Sequence, residues 1–245
     1  MLELAWKGEG RILGVLVDRV VADFFGTNCW IVAPSKNSEC VIVDPGIAIP
    51  DLVGKIKERL QSANLKPVAI LITHGHLDHH FSLLPLQRDC GAGVLVHKLD
   101  RDLLEKPERG MGAQGLALMN ELVGKYGAHA FEDPEDVTEL TEHNSLSIAG
   151  MRFEIESSPG HTPGSIIARV EDEILITGDT LFKGAIGRTD LPRGSISDME
   201  RTLREKIAVQ PGHLEVLPGH GERTRVEIEL ATNPYIQAAL QGRLG

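Results

Sequence analysis

Short runs of branched aliphatic residues recur along this chain, each closed by Gly, Pro, Asp or Asn. Such runs read as buried strands between turns. Residues 12–21, 28–33 and 40–44 form the first group, and the turn residues between them predict an antiparallel meander. Over residues 51–62 the period changes, because Leu52, Ile56 and Leu60 recur at i, i+4 and i+8 as in an amphipathic helix. The alternation then repeats: a strand at 67–72, a helix opening near Asp78 with Phe81, Leu84 and Leu86 at roughly helical spacing, and a strand at 93–97.

From residue 98 to about 141 the pattern turns charged, with Gly110, Gly112 and Gly115 ahead of a predicted helix at 116–126. We expect a helical insertion there and not a separate domain. Strands are expected again at 145–148, 151–157, 166–170 and 173–177, then a helix at 197–206 and a strand at 214–217. Two strand-rich halves that each carry helices predict an α/β (α+β) chain, one domain over 1–245, with two sheets packed face to face and helices outside.

Composition narrows the partners. Aromatic residues make up only 4% of the chain, so the core must rest on Val, Ile, Leu and Ala. A formal charge of −10 opposes general affinity for nucleic acid, and for the same reason for an anionic membrane surface. The opening MLELAWKGEG has no apolar run of signal length and no later run reaches transmembrane length, which predicts a soluble, cytoplasmic protein. Cys29, Cys40 and Cys90 are widely spaced and form no CxxC pair, so neither a disulfide framework nor a thiolate metal site is indicated. No feature fixes an oligomeric state.

The candidate chemistry is concentrated in residues 73–80, Thr-His-Gly-His-Leu-Asp-His-His, where 74–80 hold four of the ten histidines. Imidazole and carboxylate are ligands for zinc, iron or manganese. His74 and His76 fall on the loop leaving a strand, and Asp78 and His79 at the turn into a helix. The four can therefore point at two neighbouring points, which suits two metals better than one. Three more turns carry a possible ligand after a strand: Ser-Pro-Gly-His161-Thr, Thr-Gly-Asp179-Thr and Pro-Gly-His220-Gly. Glycine lets each turn come close and aim a short side chain inward.

In order, HxHxDH, PGHT, GDT and PGHG resemble the metallo-β-lactamase superfamily over nearly the whole chain. Residues 178–190 (GDTLFKGAIGRTD) and 232–235 (TNPY) are most similar to its glyoxalase II-like thioester hydrolases. The resemblance implies an αββα sandwich with the site at one edge. It implies one metal held by His74, His76 and His161, a second held by Asp78, His79 and His220, and Asp179 bridging them, with Asp78 and Asp179 also in catalytic roles. The cofactors would be two divalent ions, zinc first, with iron or manganese also acceptable. A hydroxide held between them would attack a small-molecule acyl thioester such as S-D-lactoylglutathione. A thiolate leaving group, with a reference pKa of about 8.5, departs with little acid assistance.

Arg188 matches the position where glyoxalase II carries a basic residue for the thiol carrier's carboxylate; the competing reading is an ion pair with Asp190 inside its own loop. Lys183 is a second candidate for attracting an anionic substrate, against the reading of a solvated surface lysine. Asp44, in Val-Asp-Pro-Gly, is expected to orient a ligand from behind or to be a plain turn residue. Only about twenty-five residues follow His220, where glyoxalase II proper continues into a helical domain, so the thiol carrier stays open. Persulfide dioxygenases share the ligand types and the GRTD segment but use one iron; Leu77 and the PGHGE ending favour the hydrolase. A metal-dependent binding protein is the third reading. His80, His97, His129, His143 and His213 fall outside the motifs and are given no role.

Overall fold

The computed structural model describes residues 10–12, 14–47, 52–126 and 131–245. The first sheet has seven strands in sequence order: β1 (Gly10–Ile12), β2 (Val15–Val21), β3 (Asn28–Ala33), β4 (Glu39–Val43), β5 (Lys66–Leu71), β6 (Gly93–His97) and β7 (Val137–Leu140). Neighbours are antiparallel from β1 to β4 and parallel from β4 to β7. The switch follows from the connections. Short turns join the first strands, whereas the helix α1 (Leu52–Ala63) provides the crossover from β4 to β5, and α2 (Leu77–His80) with α3 (Leu83–Cys90) the one to β6.

The second sheet has six strands, ordered β13-β12-β11-β10-β9-β8: β8 (His143–Ile148), β9 (Met151–Ser157), β10 (Ile166–Val170), β11 (Ile174–Gly178), β12 (Glu215–Pro218) and β13 (Thr224–Arg225). Alternation along the strands divides their side chains between layers. On β3, Trp30 and Val32 face the second sheet, while Cys29, Ile31 and Ala33 face the outer helices. Met151, Phe153 and Ile155 of β9 meet Trp30 and its neighbours between the sheets. Outside the second sheet, Leu175 and Val216 pack against Met199 of α6 (Ile196–Thr202) and Ile236 of a C-terminal helix (Pro234–Leu240). The order of layers is therefore helix, sheet, sheet, helix, the αββα sandwich expected from the motifs.

Local differences have local causes. The stretch 12–21 is a hairpin, β1 and β2 turning at Gly14, with Leu13 outside the described residues. The helix after Asp78 is two helices, because Ser82 turns back to the preceding strand loop: its amide donates to Pro45 O at 2.9 Å and its hydroxyl to Gly46 O at 2.7 Å. The insertion ends before residue 137, since Val137–Leu140 joins the first sheet parallel to β6. Its helices are α4 (Arg101–Glu105) and α5 (Ala113–Tyr126), so the longer one starts three residues ahead of the predicted 116. The helix predicted at 197–206 is α6 followed by a π-helical turn, Leu203–Ile207. Asp51, His129 and the opening nine residues lie outside the described residues. No described helix is long and apolar enough to cross a membrane.

Candidate metal centre

The C-terminal ends of β5, β11 and β12 and the turn between β9 and β10 meet at one edge of the sandwich. The four motif turns thereby deliver His74, His76, Asp78, His79, His161, Asp179 and His220 to one place. Their donor atoms form three overlapping groups within metal-binding reach: His74, His76 and His161; His74, His79 and Asp179; and Asp78, His79 and His220. His76 Nδ1 lies 2.7 Å from His161 Nε2, and His79 Nε2 lies 3.2 Å from His220 Nε2. Asp179 sits between the trios: Oδ2 is 3.5 Å from His161 Nε2 and 3.4 Å from His220 Nε2, and Oδ1 is 3.4 Å from His79 Nε2.

What stands behind each imidazole fixes the nitrogen it presents. His161 Nδ1–H donates to Arg188 O at 2.7 Å, and His220 Nδ1–H to Phe25 O at 3.1 Å. His79 Nδ1–H donates to Asp44 Oδ2 at 2.9 Å. In all three, Nε2 is left for the centre. Asp44 does more than orient His79: Thr73 donates to it twice, from its amide at 2.8 Å and from its hydroxyl at 2.6 Å. This buried carboxylate thus ties the first histidine turn to the His79 ring. It has φ 51, a left-handed conformation that Asp tolerates better than most residues.

Asp100, which the sequence reading passed over, performs the matching task for the other trio. Fully buried, it accepts from the amide of Gly75 at 2.8 Å, the hydroxyl of Thr162 at 2.6 Å and the amide of Gly164 at 3.0 Å. It therefore clamps the His74–His76 turn to the His161 turn. Lying just after β6, it looked like the first acid of a charged insertion. The available signal was its place three residues past a strand that ends at the site edge. Glycine is required at the closest approaches: a Cβ on Gly219 would fall on Asp179 Oδ1 and against His79 Cε1.

The donor set suits metal ions better than hydrogen bonds among its members. His74 Nε2 and Asp179 Oδ1 are buried without a hydrogen-bond partner, which is costly unless a cation takes the lone pairs. Charges are also paired for it. Burial lowers His74, and it drives His76 down to about 3, helped by neighbouring His161. Burial also lowers His220, yet the hydrogen bonds it donates to Asp179 and Asp78 hold it up at about 9. For the carboxyls of Asp78 and Asp179, burial raises the pKa, but His79 and His220 outweigh it and keep both lowered. Without a metal, burial disfavours protonation of His74 and His76, while Asp78 and Asp179 favour it on His79 and His220, so protons and metal compete for the same nitrogens.

The centre opens into a cavity of about 800 Å³. Its far wall comes from the insertion, through Gly110, Met111 and Leu118, and its rim from Phe25, Phe182 and Leu191. Phe25 is 61% exposed with φ 58, a costly conformation for a bulky residue, and its carbonyl is the acceptor for His220. Arg188 lines the cavity, but Nε and Nη2 donate to Asp190 Oδ1 and Oδ2 at 2.8 and 2.7 Å. Lys183 is not among the cavity's lining residues; it pairs with Glu222 at 2.6 Å on the exposed surface. Behind Phe182, Asn233 of the TNPY segment caps the last helix and donates to Ala185 O at 3.2 Å. Buried Glu229 receives the amide of Gly184 at 2.8 Å and Asn233 Nδ2 at 2.9 Å, which pins the 182–185 loop.

An αββα sandwich whose strand ends gather five histidines and two aspartates at one edge is the architecture of a metal-binding superfamily. Residues 22–220 match the metallo-beta-lactamase superfamily, and the chain belongs to it. It is 36% identical over 230 residues to an uncharacterized protein of Mycobacterium tuberculosis, covering 91% of this chain and 98% of that one. It is 33% identical over 217 residues to hydroxyacylglutathione hydrolase GloC of Haemophilus influenzae, covering 87% and 94%. Among solved structures it resembles the BLEG-1 B3 metallo-beta-lactamase, with TM-score 0.77, 28% identity and coverage of 90% and 99%. A di-iron-bound form of TTHA1623 has TM-score 0.70, 30% identity and coverage of 89% and 98%.

Proposed function

We propose that this protein is a two-metal hydrolase that cleaves a small-molecule acyl thioester. The observation that carries the reading is the position of Asp179 between two histidine-bearing trios, 3.5 Å from His161 Nε2 and 3.4 Å from His220 Nε2 and His79 Nε2, beside one cavity. In this reading His74, His76 and His161 hold one ion, Asp78, His79 and His220 hold the other, and Asp179 lies between. Divalent ions so held supply Lewis acidity and a source of nucleophilic water near neutral pH. The similarity to GloC supports a thioester, and that to a di-iron protein supports two metals, with zinc, iron and manganese all compatible with the donors.

The chain's own groups then have separable tasks. Asp44, Arg188 O and Phe25 O hold the Nδ1 protons of His79, His161 and His220, so that lone pairs and not N–H groups face the reacting atoms. Asp78 and Asp179 are held ionised next to the position of the nucleophile. Gly110, Met111 and Leu118 line the cavity from the insertion side. The thiolate needs no acid at the leaving position, which amide cleavage would demand. Three free cysteines suit a reducing cytoplasm.

A single-iron persulfide dioxygenase is the second reading; because that family shares the ligand types, the ligand set does not separate the two, and the similarity to GloC over 87% of this chain favours the hydrolase. The test is to strip the protein with a chelator and add back zinc, iron or manganese against S-D-lactoylglutathione and a simple acetyl thioester. Hydrolysis that saturates near two equivalents supports the reading. Oxygen consumption on a persulfide with one iron and no hydrolysis would overturn it.

A further inference from the structure

The cavity beside the metal centre carries almost no free charge. Apart from the seven clustered residues, the charged residues among its described lining are Arg188 and Asp190, and they neutralise each other through two parallel hydrogen bonds. The rest of the wall is largely apolar: Phe25, Leu77, Met111, Leu118, Phe182 and Leu191 run from the insertion to the rim. Two of these are fixed in ways a passive surface would not need. Phe25 holds a left-handed backbone through its carbonyl contact with His220, and Phe182 rides the loop pinned by Asn233 and Glu229.

A glutathione carrier brings two carboxylates and an ammonium group. Here either carboxylate would have to displace Asp190 from Arg188, or enter without a partner. An aliphatic chain, by contrast, finds several apolar side chains and a volume of about 800 Å³ that begins at the metal ligands. Resting on the hydrolase reading, we propose that this cavity takes the aliphatic acyl chain of a thioester whose carrier is uncharged near the site. Water oxygen bonds to the acyl carbon, the C–S bond breaks with its electron pair going to sulfur, and the products are a carboxylic acid and a thiol.

Stable thioethers test the binding half without turnover. We would titrate ethyl, butyl, hexyl and octyl thioethers of N-acetylcysteamine, with S-methylglutathione and S-hexylglutathione, into the metal-loaded protein by calorimetry. The expected result is a Kd that falls about three- to fourfold per added methylene until the cavity is filled. S-hexylglutathione should bind no tighter than its neutral counterpart, and Asp190→Asn, which frees Arg188, should tighten it by up to about fivefold. A Kd flat across chain length, or S-methylglutathione binding tighter than the neutral hexyl thioether, would overturn the proposal. Hydrolysis of the acetyl and octanoyl N-acetylcysteamine thioesters by the same sample is scored separately. Turnover with a flat Kd defeats the acyl-chain assignment alone, and chain-dependent binding with no hydrolysis of the acetyl or the octanoyl thioester defeats the hydrolase reading, leaving an aliphatic-chain site without that reaction.

Discussion

The metal centre and the cavity wall beside it are built on opposite plans. Every histidine of the second trio and His161 of the first have a fixed acceptor behind the ring, and most of the cluster is buried at the ends of strands that belong to two packed sheets. The wall is supplied by an insertion and by loop residues such as Phe25 and Leu191, joined mainly by apolar contact and one exposed ion pair. The difference shows which region is bound by geometry and which by volume. A displaced ligand ruins a metal site, whereas a wall needs only a shape and a polarity. Substitutions should therefore act strongly and through metal content in the first region, and weakly and through substrate choice in the second.

The largest effect is expected at the carboxylate between the two trios. Asp179→Ala should lower hydrolysis by more than about 100-fold, the upper end of what loss of a supporting group costs, and should reduce bound metal. Elemental analysis of the purified variant checks the second part. Next comes the clamp between the histidine turns. Asp100→Ala leaves the buried amides of Gly75 and Gly164 without an acceptor, while the Thr162 hydroxyl can turn to Ser165 Oγ at 2.8 Å, a cost of roughly 2 kcal/mol or more at 1–3 kcal/mol per group. Denaturant titration at fixed metal concentration would measure it.

Asp44→Asn should be milder for the backbone, because Asn also accepts a left-handed φ. Its single acceptor oxygen cannot serve both sides, so the NH2 meets either the Thr73 amide or the Thr73 hydroxyl and His79 Nδ1–H, and metal affinity should fall about 10- to 100-fold. Competition with a chelator reads this directly. The smallest effect belongs to the wall. Arg188→Ala should leave metal content intact and change KM for an acyl thioester less than about fivefold, since an exposed ion pair contributes at most about 1 kcal/mol. A much larger rise in KM with normal metal content would move Arg188 from loop pairing to substrate binding.

The same contrast explains what could be read from the chain. The clustering of the seven residues was legible because strand, glycine turn and donor residue recur four times within short sequence windows. The layered fold was legible because strand and helix periods alternate in order. Asp100 and Glu229 were not, since their value depends on reaching backbone amides far along the chain, Gly164 for one and Gly184 for the other. Arg188 carries two readings in the sequence, since spacing does not separate a guanidinium that pairs with Asp190, as it does here, from one that also meets a substrate. β7 was missed because Val137–Leu140 is a short edge strand with two exposed positions, Thr138 and Glu139, at the end of a charged insertion. Ser82 broke a helix that local spacing would have continued, through contacts with Pro45 and Gly46.

The central claim is a pair of metals sharing Asp179 in a hydrolytic site. It is tested most directly by elemental analysis of protein purified without added metal, with thioester hydrolysis followed on the same sample. The account predicts about two divalent ions per chain and hydrolysis that disappears on chelation and returns with the second equivalent. One iron per chain, with oxygen uptake and no thioester cleavage, would contradict it.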